Sequence, residues 1–145
     1  MAEKARSPYR QIAAVLIGGF CGTLTRYGAS TALQHWLGKE WPYDILLINV
    51  TGALLLALAT ILANATILIG PTRRLFITVG FLGAYTTFSS LALGDVLLLA
   101  RGEWLPAIFY LVLSMIGGML AVLLGSASGR WCVKKMWPER HRQAS

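Results

Sequence analysis

The chain has 145 residues, 56% hydrophobic and 13% charged, with a formal net charge of +7. This is too apolar for an ordinary soluble domain, and the two cysteines, Cys21 and Cys132, lack metal-ligand spacing. The positive balance does not indicate nucleic acid, because Lys and Arg gather at the ends of apolar runs instead of interleaving with aromatics on a polar face.

Four apolar runs follow in chain order, each near the roughly 20 residues that cross a hydrocarbon core. They predict an all-α membrane protein, one four-helix domain over 1–145 with spans at about 12–33, 45–69, 75–100 and 105–129. The leading segment carries Glu3, Lys4, Arg6 and Arg10 and shows no cleavage site, so the first run reads as an uncleaved span. Short connectors (Gln34 to Asp44, Gly70 to Arg74, Arg101 to Trp104) leave no room for a soluble catalytic domain, and no internal repeat is present.

Aromatic residues mark the span ends. Trp36, Trp41 and Trp104 are expected at one membrane interface, with Tyr9, Trp131 and Trp137 at the other, where an apolar ring can keep one polar group wet. The side holding both termini and the second connector carries Lys4, Arg6, Arg10, Arg73, Arg74, Arg130, Lys134, Lys135, Arg140 and Arg142. The opposite side has only Lys39 and Arg101. The positive-inside rule therefore puts both termini in the cytoplasm, and a compact chain of this kind suggests a bacterial inner membrane. Gly18-x-x-x-Gly22 and Gly125-x-x-x-Gly129, with Gly117 and Gly118 between them in kind, are candidate close helix contacts.

Polar residues inside the spans are the functional candidates. Arg26 in the first span needs a wet or paired setting and can draw anions into a vestibule. Asn49 in the second offers two amide donors, with helix glue beside Thr51 as the plainer role. The stretch Gly80-Phe-Leu-Gly-Ala-Tyr-Thr-Thr-Phe-Ser-Ser90 interrupts the third span with glycines and hydroxyls, and irregular backbone at that depth must be buried by protein or line a watery path. Thr86, Thr87, Ser89 and Ser90 surround Phe88, whose ring edge carries partial positive charge. Asp95 is the lone acid deep in a span, readable as a paired structural carboxylate or a proton-coupling group. Tyr110 and Ser114 share a face of the fourth span. Donors and ring edges outnumber carboxylates, which favours an anion path; no nucleophile–base pair or metal constellation suggests an enzyme.

These residues resemble the small fluoride channels called Fluc, or CrcB. The likeness runs through Gly18-Gly-Phe-Cys-Gly-Thr-Leu-Thr-Arg26, Asn49-Val-Thr-Gly52 and Gly80 to Ser90. It implies a broken third helix, an antiparallel dual-topology dimer with two fluoride pores, and passive fluoride export that lowers toxicity. It also implies a structural, untransported sodium ion held by backbone carbonyls of Gly83 and Thr86 from two protomers. By the same resemblance Asn49, Thr87, Phe88, Ser90, Tyr110 and Ser114 line the anion path, and Arg26 stands in its vestibule. The partners implied are fluoride, membrane lipid and a second subunit.

The chain departs from the family at three places. Leu91 replaces a second phenylalanine, Gly94 stands where an acid is common with Asp95 one residue later, and Ala84 replaces a glycine. Dual topology also calls for balanced Lys and Arg, whereas this chain is strongly biased. Both features fit an oppositely oriented pair of paralogous subunits, one half-active or non-conducting; homodimer or heterodimer stays open. A proton-coupled small multidrug-type transporter is the rival from another class, with Asp95 as its only available carboxylate.

Overall fold

The computed structural model describes residues 8–65 and 69–136, which among themselves form helices and no strand. Trp137, Lys4, Arg6, Arg140, Arg142 and the last turn expected of the second span, 66–68, lie outside the described residues. Four helical stretches are long and apolar enough to cross a membrane: Pro8–Leu37, Tyr43–Ala65, Pro71–Ala100 and Trp104–Met136. The chain is therefore a multi-pass membrane protein by length and composition.

Helix α1 (Pro8–Leu37) opens on a proline, which suits a first turn whose N–H groups lack helical partners. It stops at Gly38, whose φ of +83° is a left-handed conformation that glycine adopts without Cβ strain. Helix α2 (Tyr43–Ala65) starts two residues earlier than the apolar run indicates, and this brings Asp44 into its first turn. The third stretch is composite. A short α3 (Pro71–Arg74) runs into a seven-residue π-helical segment, Leu75–Phe81, and then into α4 (Leu82–Tyr85). Thr86 (φ −80°, ψ 154°) and Thr87 (φ −152°, ψ 117°) are extended, and α5 (Phe88–Ala100) resumes with Thr87 as its N-cap. Helix α6 (Trp104–Met136) is 33 residues long. At 1.5 Å per residue it reaches about 50 Å, more than the roughly 30 Å hydrocarbon core, and its last turn carries Lys134 and Lys135.

Glycine sets the packing. A Cβ on Gly22 would collide with the Phe81 carbonyl, and one on Gly80 would come within 2.8 Å of the Val15 oxygen, so α1 crosses the π-helical segment backbone to backbone. On the other side of the bundle, Gly125 meets the Leu54 carbonyl and Gly129 meets Ile61, which seats α6 on α2. Both small-xxx-small patterns thus mark real crossings, whereas a Cβ on Gly118 would meet nothing within 4 Å.

One aromatic departs from the expected interface belts. Trp36 and Trp104 are exposed, as are Tyr9 and Trp131. Trp41 instead turns inward: its ring meets Tyr110 edge-on at 5.3 Å, and its Nε1 donates to the Pro106 carbonyl at 3.2 Å. The indole N–H finds a partner on α6, so the ring locks the entry of α2 to that helix.

Leu91 has a packing role. It is buried in a cluster with Leu98, Ala107 and Tyr110. A phenylalanine there would overfill the cluster, and Leu91→Phe is expected to destabilise the protein by about 1–3 kcal/mol in thermal or detergent unfolding.

Candidate functional site

The site is built around the two extended residues. In an unbroken helix the Thr87 N–H would bond to the Gly83 carbonyl. Here it donates to Asn49 Oδ1 at 2.8 Å, and Asn49 Nδ2 donates to the Thr87 carbonyl at 3.0 Å. One side-chain amide from α2 thereby satisfies both backbone groups of a residue that has left the helical ladder, and Thr87 is only 8% exposed. Buried backbone polar groups without partners cost about 1–3 kcal/mol each, so this exchange is what makes the extended conformation tolerable. Asn49 thus joins α2 to the third span, the plainer role open to it, and Thr51 reaches the same span. Thr51 bonds back to the Leu47 carbonyl at 2.7 Å and lies 3.3 Å from the Tyr85 hydroxyl.

The hydroxyls can be assigned one hydrogen at a time. Thr86 Oγ1 bonds back to the Leu82 carbonyl at 3.1 Å, an ordinary helical habit. Thr87 Oγ1 accepts from the Ser90 backbone N–H at 3.2 Å and donates to Ser90 Oγ at 3.0 Å. With its single hydrogen committed, Thr87 can only accept from Ser89 Oγ, 3.2 Å away. Ser90 Oγ is then an acceptor whose own O–H remains free.

That free hydroxyl lines a cleft of about 230 Å³ with Thr23, Arg26, Tyr27, Ser30 and Ile45. No acid lines this cleft, and Arg26 makes no ion pair among the described residues. A second cleft of about 290 Å³ shares Ser30, Ile45 and Ser90 with the first and continues to Lys39 and Arg101 at the connectors. A guanidinium and an uncommitted hydroxyl thus line the first cleft, and the second adds two cations, Lys39 and Arg101, and two acids, Glu40 and Asp44.

The structure does not gather every expected residue here. Phe88 begins α5 with its side chain 75% exposed and lines neither cleft. Tyr110 and Ser114 lie on α6, where both hydroxyl oxygens are buried without a partner among the described residues. Gly83 is exposed. Asp95 also has a buried oxygen, Oδ1, without a partner among the described residues.

One polar residue escaped the sequence reading. Asp44 is 5% exposed, and its Oδ2 accepts from Ser30 Oγ and from Gln34 Nε2, the latter at 2.8 Å. The available signal was the i, i+4 pair Ser30 and Gln34 on α1, two polar side chains on one face of a membrane helix.

Likeness to known proteins extends over most of the chain. A family model described as "CrcB-like protein, Camphor Resistance (CrcB)" matches residues 13–126. The chain belongs to the CrcB-like family. Among curated relatives, a protein of Chloroflexus aurantiacus is 38% identical over 120 residues, covering 83% of this chain and 95% of its own. One from Chlorobium chlorochromatii is 39% identical over 134 residues, covering 90% and 98%. Another from Trichormus variabilis is 42% identical over 122 residues, covering 83% and 89%. Each of these CrcB-like relatives carries the name "Fluoride-specific ion channel FluC", an ion channel and not an enzyme.

Proposed function

We propose that this chain is a subunit of a fluoride-specific channel of the cell inner membrane, through which fluoride leaves the cytoplasm passively. The observation that carries the reading is the Asn49–Thr87 exchange, which holds two residues out of the third span and leaves the Ser90 hydroxyl free beside Arg26. The names of the relatives supply the ion. HF crosses membranes uncharged and ionises in the less acidic cytosol, so the anion accumulates there and an open path lets it leave down its gradient.

Arg26 draws the anion into the cleft, where Ser90 Oγ–H replaces part of its water. Asn49 keeps a second N–H beyond the one bound to Thr87, and the Tyr110 and Ser114 hydroxyls supply further donors along the path. Phe88 presents only ring hydrogens, attractive to an anion without trapping it; conduction needs binding weak enough to release. Exposure of Phe88 on a single chain supports a path completed by a second subunit in antiparallel orientation. Charge bias puts both termini of this chain in the cytoplasm, and its partner, a second copy or an oppositely oriented paralogous subunit, would insert the other way.

The residues at the bend fit a structural sodium ion. The Gly83 carbonyl loses its helical donor to Asn49, and Thr86 is extended, so both carbonyls are neutral oxygens free for a hard cation. Two protomers would supply four. Sodium there supplies fixed positive charge at the subunit boundary and is not transported. A proton-coupled transporter is disfavoured because Asp95 lines neither cleft.

Reconstitution of the pure chain in liposomes tests the proposal. Trapped fluoride should be released and chloride retained. Release only after co-reconstitution with an oppositely oriented relative would assign the paired-subunit form, and no fluoride release in either case would end the channel reading. Within the same assay, Ser90→Ala removes the free donor and is expected to slow efflux about tenfold, the equivalent of one hydrogen bond near 1.4 kcal/mol.

A further inference from the structure

The geometry points to Asp44 as a positioning residue for Arg26, an inference that rests on the channel reading for its meaning and its efflux test but not for its thiol-reactivity test. Arg26, Ser30 and Gln34 follow each other at intervals of four and so form one polar stripe along α1. Asp44, in the first turn of α2, takes both Ser30 and Gln34 on a single carboxylate oxygen. A buried carboxylate is tolerable only when donors surround it, so these bonds fix α1 against α2 at that level. One turn below Arg26, Gly22 is jammed against the Phe81 backbone. Arg26 therefore sits midway between two fixed points, four residues from Gly22 and four from Ser30. The upper point is the Asp44 clamp.

The clamp also explains why Arg26, and not Ser30, meets the anion. Ser30 lines both clefts, but its hydrogen is given to Asp44 and its oxygen accepts from Gln34 Nε2 at 3.3 Å. The two donors nearest the connectors are committed to the carboxylate. Arg26 is the member of the stripe left facing Ser90 across the cleft. Without the acceptor at position 44, the upper half of α1 is free to turn, and Arg26 loses its aim although nothing touching it has changed.

A double-mutant cycle on fluoride efflux tests this, using Asp44→Leu, Asp44→Asn, Arg26→Ala and the Asp44→Leu/Arg26→Ala double variant. Asp44→Leu should slow efflux about tenfold, and the double variant should be no slower than Arg26→Ala alone, since the first change acts through the second residue. Asp44→Asn keeps an oxygen acceptor for Ser30 and Gln34 and should recover most of the lost rate. Asn as slow as Leu, or a double variant slowed by the product of the single factors, would overturn the assignment. If Asp44→Leu does not yield folded protein, Ser30→Ala enters the same cycle in its place. A readout independent of conduction uses Arg26→Cys with Cys21 and Cys132 replaced. Its reaction with a water-soluble thiol reagent should change several-fold on Asp44→Leu and stay unchanged on Asp44→Asn; a rate indifferent to both refutes the positioning role even if no fluoride is conducted.

Discussion

Asn49→Asp will abolish fluoride efflux, by about a hundredfold or more, although it changes one NH2 to an oxygen. The amide at 49 is used from both ends: Oδ1 takes the Thr87 N–H and Nδ2 gives to the Thr87 carbonyl. A carboxylate keeps the first bond and turns the second into two oxygens facing each other at hydrogen-bond distance. Losing a buried bond costs about 1–3 kcal/mol, and a charge against an unpaired carbonyl at membrane depth adds to it. The bend that frees the Gly83 carbonyl and orients Ser90 then keeps one bond and is pushed apart at the other. Efflux measured with a fluoride electrode checks this, and a variant that conducts normally would show that the exchange with Thr87 is dispensable.

The second large effect is expected at Gly22. A side chain there must occupy the position of the Phe81 carbonyl, which belongs to backbone and cannot rotate away. Gly22→Val should cost about 3 kcal/mol or more, at the upper end of overpacking, because two helices have to separate to admit it. Thermal unfolding in detergent should show a large drop or no monodisperse protein at all. Gly19→Ala provides the contrast, because a Cβ at Gly19 meets nothing within 4 Å and unfolding should be unchanged.

Much of this was legible in the residues. Span number followed from length and hydropathy, since a bilayer accepts only long apolar helices, and the two glycine pairs announced crossings because only backbone can approach so closely. Asn49, Thr87 and Ser90 stood out as polar groups where lipid penalises them. Their partners did not. Asn49 reaches the backbone of a residue 38 positions away, and a backbone group has no signature in sequence. Asp44 looked like part of a connector, because its burial arises only when α1 folds back and lays Ser30 and Gln34 against it. Trp41 looked like an interfacial residue for the same reason: the carbonyl that accepts its N–H lies 65 positions on. Leu91 read as a missing aromatic, whereas in three dimensions it fills a core beside Tyr110.

The most direct test of the account is a paired efflux measurement on liposomes holding both fluoride and chloride, with wild-type protein in one set and Asn49→Asp in the other. Rapid release of fluoride alone is expected from the first set and of neither ion from the second. Release of chloride alongside fluoride from the wild type, or equal fluoride release from both sets, would contradict it.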